Sequence, residues 1–271
     1  MPLSLRSRVR NLCVEQRVLD LDQIQISRVA QHLLRIHSNL IGQDNPLFLV
    51  LVLSTLLGLF VGLAFHELCH AAAATLLGDD LPRRQGRLTL NPLAHLDPIG
   101  TLMMLFVGFG FAKPVQHNPH GLKIAPKTAT LLVAAAGPLS NLVSALLLAL
   151  PIKLGWVPYI NPFGSVAGVH GTNEYIGLFL TGGAYINVIL GVFNLIPIPP
   201  LDGFNVALGI LPDSMSRELA KLNQYGMAFL LIILFGVPYI TQALTGTSYS
   251  PVQEIMIPVA SPILRFVTGI H

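Results

Sequence analysis

Phe65-His66-Glu67-Leu68-Cys69-His70-Ala71 sits in the middle of a long apolar run. No residue from Leu47 to Phe65 is charged, and the run resumes from Ala71 to Leu77 before Gly78-Asp79-Asp80 ends it. A helix over the whole stretch exceeds the roughly 20 residues needed to cross a bilayer, so the motif falls well inside the membrane. An ionisable side chain at that depth costs on the order of 3 kcal/mol on insertion scales, and is by default a functional residue. Two histidines four positions apart share one helical face, where both imidazoles can grip one ion. A glutamate beside the first gives the pattern of a helix that binds zinc and activates water.

The rest of the composition fits that setting. Of 271 residues, 52% are hydrophobic and 11% charged, with a mean hydropathy of +0.65; soluble domains carry about 25% charge. The length suits one multi-helix membrane domain. The net charge of +3 is spread over the loops, which argues against a nucleic-acid partner. Cys13 in the polar N-terminal arm and Cys69 in the metal motif are not expected to form a disulfide. The arginine-rich start lacks the short apolar core and cleavage site of a signal peptide.

Residues 1–44 form a polar, partly amphipathic arm, in which Leu21, Ile24, Val29, Leu33 and Ile36 recur at roughly helical spacing. Residues 45–245 hold the apolar domain, and 246–271 form a tail. Thr128 to Leu150, Tyr175 to Phe193 and Met227 to Leu244 read as further spans. Ile99 to Phe111 is short and contains Gly100, Gly108 and Gly110, so a re-entrant segment is an alternative to a span. In the tail, Pro258, Pro262 and Arg265 argue against a further regular span. Gln85 to Leu90 alternates like a strand. The expected fold is therefore an all-α multi-pass membrane protein, with about five to six transmembrane or re-entrant helices and a small membrane-associated β segment.

A catalytic zinc site needs three protein ligands and an open position. Asp202 is the favoured third ligand, being the one acid between Glu174 and Asp213 in an otherwise apolar stretch. Pro197, Pro199 and Pro200 precede it and deny the backbone a regular helix, which is tolerable at membrane depth only beside a cavity. Asp97 is the rival, but it lies in a polar loop and suits a turn before Pro98. His95 reads as a structural hydrogen-bonder, and His117, His120 and His170 as loop residues.

Together these residues resemble the site-2 protease family of intramembrane zinc metalloproteases. The resemblance rests on His66-Glu67-Leu68-Cys69-His70 and on Asn194-Leu-Ile-Pro-Ile-Pro-Pro-Leu-Asp202-Gly203. Asn91-Pro-Leu-Ala-His-Leu-Asp-Pro-Ile-Gly100, Gly137-Pro138-Leu139-Ser140-Asn141 and, as in small prokaryotic members, Ala112-Lys113-Pro114-Val115 extend it over about residues 46–245. It implies one catalytic Zn2+ held by His66, His70 and Asp202, with Glu67 activating water. It further implies that Asn194 holds the substrate peptide or its oxyanion, and that Asn141 supports the site, with Gly137 and Pro138 allowing close helix approach. Residues 85–90 would match a segment that adds a substrate strand by edge pairing. The implied partners are membrane-protein substrates and the lipid bilayer, and the implied place is a prokaryotic cell membrane. Three features depart from the family: Cys69 where glycine is common, the long N-terminal arm, and the lack of an inserted PDZ-type or CBS-type domain.

Two other classes use similar residues. A catalytically inactive zinc-binding scaffold has no need of a base beside its ligands, which sets Glu67 against it. An ion transporter also carries intramembrane acids but often pairs two interrupted helices, and here a single Pro-broken segment is clear. The arginines leave orientation open, because the arm and the loop containing Arg83, Arg84 and Arg87 are both basic and flank the first span.

Overall fold

The computed structural model describes residues 46–98, 100, 103, 110–113, 115, 116, 118, 123–164 and 169–270. The N-terminal arm, most of the apolar segment 99–111, His117 and His120 lie outside the described residues.

The first apolar run forms α1 (Pro46–Leu76), 31 residues that end before Gly78 at φ 111°. A four-residue helix, α2 (Leu81–Arg84), follows, then a 3-10 turn over Pro92–Ala94. Next come α3 (Pro126–Lys153) and α4 (Thr172–Asn194). Pro126 opens α3, where its missing N–H costs nothing. At the start of α4 the Glu174 carboxylate accepts from the N–H groups of His170 and Gly171. The chain continues through the short α5 (Asp202–Ile210) and α6 (Asp213–Ala220). It ends with α7 (Gly226–Leu231), a π turn over Ile232–Gly236, α8 (Val237–Thr245) and α9 (Pro251–Thr268).

By length and composition, four segments among the described residues can cross a membrane: Leu49–Leu76, Pro126–Lys153, Thr172–Asn194 and Asp213–Thr245. The helical, multi-pass expectation holds at that level. Helices α1, α3 and α4 pack on one another, and α5 rests against α3. The largest core cluster is rich in small residues, with Ala145 and Ala149 of α3 against Ala184, Val188 and Val192 of α4. Small side chains let backbones approach closely, which is how helices associate where hydrophobicity gives no preference for protein over lipid.

One expectation needs correction. Residues 85–90 form no strand. The chain instead turns at Gly86 (φ 67°), and the Arg87 N–H bonds back to Pro82 O. Arg87 is buried, its guanidinium donating to Ala94 O at 2.7 Å, so loop carbonyls are satisfied by a side chain rather than by a ladder. The one β pairing among the described residues is an isolated bridge between Leu96 and Ala112.

The tail forms no span, as its residues suggest, although its prolines do not prevent a helix. Pro258 and Pro262 both lie inside α9, which runs unbroken. They are four residues apart on its exposed side, so the lost backbone bonds fall outward. Val252, Met256, Ala260, Leu264 and Val267 form the buried stripe on the opposite side and join the main core. Even so, α9 is not among the four segments that meet the requirements of a span.

Candidate metal centre

Helix α1 brings His66 and His70 to one face, with ring centroids 4.6 Å apart and planes at 81°. The outer nitrogen of each ring is occupied. His70 Nδ1 donates to Val133 O on α3 at 2.7 Å, and His66 Nδ1 lies 2.6 Å from Asn141 Oδ1. A carbonyl can only accept, so His70 keeps a proton on Nδ1, and Nε2 is the nitrogen that faces inward. The two Nε2 atoms are 3.0 Å apart.

Asp202 arrives from the other side. After α4 ends at Asn194, the three prolines exclude a regular helix, and short turns carry the chain to Leu201. Asp202 is then the first residue of α5. A Cβ on Gly203 would fall 2.1 Å from Leu195 O, so only glycine lets α5 start this close to the end of α4. Asp202 Oδ2 thereby lies 3.0 Å from His66 Nε2 and 3.1 Å from His70 Nε2.

The three donor atoms form a nearly equilateral triangle, and these residues could hold a metal ion. Two ligands on a tetrahedral zinc at bond lengths of about 2.0–2.1 Å are about 3.3 Å apart, close to the edges observed. The α3 backbone leaves room for an ion. A Cβ on Gly137 would sit 2.2 Å from His70 Nε2 and 2.6 Å from His66 Nε2, so a side chain there would fill the space in front of the triangle. Two imidazoles and one carboxylate make a three-ligand set of the catalytic type. The donors fit the ion.

Peptidase family M50 matches residues 54–234, a range that includes every one of these groups. This chain belongs to peptidase family M50. It is a site-2 protease by family, as the motifs implied. Its relatives include the Bacillus subtilis protein named "Putative zinc metalloprotease YwhC", 33% identical over 76% of this chain and 92% of the relative. The Mycobacterium tuberculosis protein named "Putative zinc metalloprotease Rip2" is 32% identical over 71% of this chain and 74% of the relative. No solved structure matches the chain significantly.

In this M50 chain the other sequence-selected residues occupy different layers. Glu67 is buried beside the triangle, within electrostatic reach of His66, His70 and Asp202, and its carboxylate makes no hydrogen bond among the described residues. Asn141 is fully buried on α3 and touches His66 directly. Asn194 is not joined to the ligands; its Nδ2 donates to Leu190 O in its own helix at 3.0 Å. Asp97 serves a turn, its Oδ1 accepting from Gly100 N, and stands outside the donor triangle. His95 is buried with Nε2 on Thr89 O at 2.8 Å, a structural bond as its sequence context suggested.

Sequence reasoning missed Asn187. It is buried on α4, and its Oδ1 accepts from Asn141 Nδ2 at 3.0 Å. The signal was available, since a carboxamide inside an apolar span must find partners there.

Proposed function

We propose that this M50 peptidase is an intramembrane zinc metalloprotease that hydrolyses peptide bonds within or near the transmembrane segments of membrane proteins, in regulated intramembrane proteolysis. The reading places it in a prokaryotic cell membrane, in keeping with its bacterial relatives. One observation carries it: His66, His70 and Asp202, from segments over 130 positions apart, meet within hydrogen-bond distance beside a buried glutamate.

His66, His70 and Asp202 would hold the zinc. When bound, zinc lowers the pKa of water toward about 7 and polarises the scissile carbonyl. Glu67 takes the proton of the attacking water and delivers it to the leaving amine. Its burial beside His66, His70 and Asp202 suits a base that must hand a proton from one partner to the other. Asn141 fixes the orientation of His66. Asn194 stabilises the oxyanion or the substrate backbone once its amide turns from Leu190 O toward the peptide. The Asp202 side chain is about one-fifth exposed whereas both histidines are nearly closed off, so Asp202 is the most accessible of the three. A substrate helix must unwind near the cut, because its carbonyls are otherwise engaged in the helical ladder.

Zinc content and cleavage of a single-span substrate, compared between the wild type and Glu67→Gln, test the assignment. The variant is expected to keep its zinc and to lose cleavage by about 10²–10⁴-fold. Undiminished cleavage by the variant would remove Glu67 from the mechanism. Zinc-bound wild type that cleaves none of a panel of membrane substrates would indicate a scaffold, and ion flux in vesicles without cleavage a transporter.

A further inference from the structure

We infer that Asn187 is a positioning residue of the metal centre: acting through Asn141, it fixes which nitrogen of His66 carries the proton and so keeps Nε2 free to bind metal. The inference rests on the reading of His66 as a zinc ligand.

Some atoms around His66 have hydrogen-bonding roles that cannot be reversed. Asn187 Nδ2 lies 2.9 Å from Gly183 O and 3.4 Å from Gly58 O. Backbone carbonyls only accept, so the Asn187 amide must turn its NH2 toward them and its oxygen away. That oxygen is 3.0 Å from Asn141 Nδ2. Asn141 Nδ2 also donates to a second fixed acceptor, Gly62 O, at 3.1 Å. With both N–H groups of Asn141 committed, its Oδ1 is what faces His66 Nδ1 at 2.6 Å. His66 Nδ1 must therefore be the donor, so in the neutral ring Nε2 carries the lone pair and faces His70 and Asp202.

The chain of bonds runs through three helices and is closed to water. Asn141 is fully buried and Asn187 almost so. Gly62 makes the approach possible, because a Cβ there would stand 2.7 Å from Asn187 Oδ1. Removing Asn187 leaves Asn141 with one fixed partner. Only the bond to Gly62 O then holds the amide in place, and an amide that gives up that bond presents NH2 to His66, which favours the tautomer with the proton on Nε2, where it blocks the metal.

The substitutions Asn187→Leu and Asn187→Asp separate this role from simple packing. Leucine keeps the bulk and loses the acceptor. A neutral aspartic acid keeps an accepting oxygen for Asn141 and an O–H for Gly183 O. Zinc affinity is measured on the full-length protein in lipid by competition with a fluorescent chelator. Asn187→Leu is expected to weaken zinc about 10–100-fold, as losses around a metal's ligands do, and Asn187→Asp to restore most of it. Thr181→Val serves as a control. That buried hydroxyl on the same helix donates to Gly177 O and has no link to Asn141, so zinc affinity should not change. Equal zinc affinity in Asn187→Leu and wild type would overturn the inference, and so would equal losses in Asn187→Leu and Asn187→Asp.

If the leucine variant fails to fold, solid-state NMR of 15N-histidine in the metal-free wild type, with His66 assigned by its loss in His66→Gln, decides the matter. The Nδ1–H tautomer is expected, and Nε2–H would overturn the inference. A wild type that retains no zinc at all would defeat the underlying function reading instead, a result distinct from either.

Discussion

Helix α4 and the last span, Asp213–Thr245, are comparably apolar in sequence, yet 61% of the most apolar window of α4 is buried within the protein against 11% for the last span. The difference lies in what each carries inside its apolar stretch. Helix α4 presents Thr181, Gly182, Gly183, Asn187 and Gly191, which are all buried; Asn187 is tied to Gly58 and Asn141 and Gly182 lies against Ser54. Within the last span, the hydroxyl of Thr241 bonds only locally, to Val237 O, Pro238 O and Tyr249 N. Apolarity puts a helix in the membrane, whereas small and polar residues decide whether it belongs to the interior. The metal centre is built on the interior helices.

Five substitutions sharpen or break that contrast. The largest effect is expected from Gly137→Ala, whose methyl group would occupy the space in front of both Nε2 atoms. Zinc retention and cleavage should both be lost, by about 100-fold or more, because a packed backbone cannot move aside freely. Retained zinc, measured by metal analysis after dialysis, would show that the α3 backbone is not a wall of the site. Next, Asn194→Ala should lower kcat about 10²–10³-fold while zinc content stays the same. A fall in zinc content instead would reassign Asn194 to holding the α4–α5 turn.

Gly203→Ala should displace α5 and weaken zinc about 10–100-fold, read by chelator competition. The smallest effect is expected on the last span. Ile240→Ala and Phe229→Ala change exposed residues, so thermal stability in detergent should shift by no more than about 0.5 kcal/mol, with cleavage nearly unchanged. Loss of zinc in either variant would erase the distinction between interior and peripheral helices.

The sequence made the metal helix legible because its cost was visible: three polar side chains inside an apolar run. Asp202 could be chosen on the same ground. Residues 85–90 misled because alternation describes side chains and not backbone partners; at Arg87 a buried guanidinium took the place of a neighbouring strand. Pro258 and Pro262 rightly spoke against a further span, but the helix that contains them could not be read without knowing which face they occupy. Asn187 was passed over because an amide carries no charge to draw attention, although its burial requires partners just the same.

By itself, the sequence determined the solvent and the main apolar helices and pointed to the three candidate donor residues, since these follow from residue type, period and the cost of charge in lipid. The tertiary structure alone decided the meeting of Asp202 with two histidines, the opening left by Gly137, and the order of bonds from Asn187 through Asn141 to His66. Those features depend on distances of a few ångströms between helices far apart in the chain. No local pattern encodes such distances, because they are set by how closely small residues allow the backbones to pack.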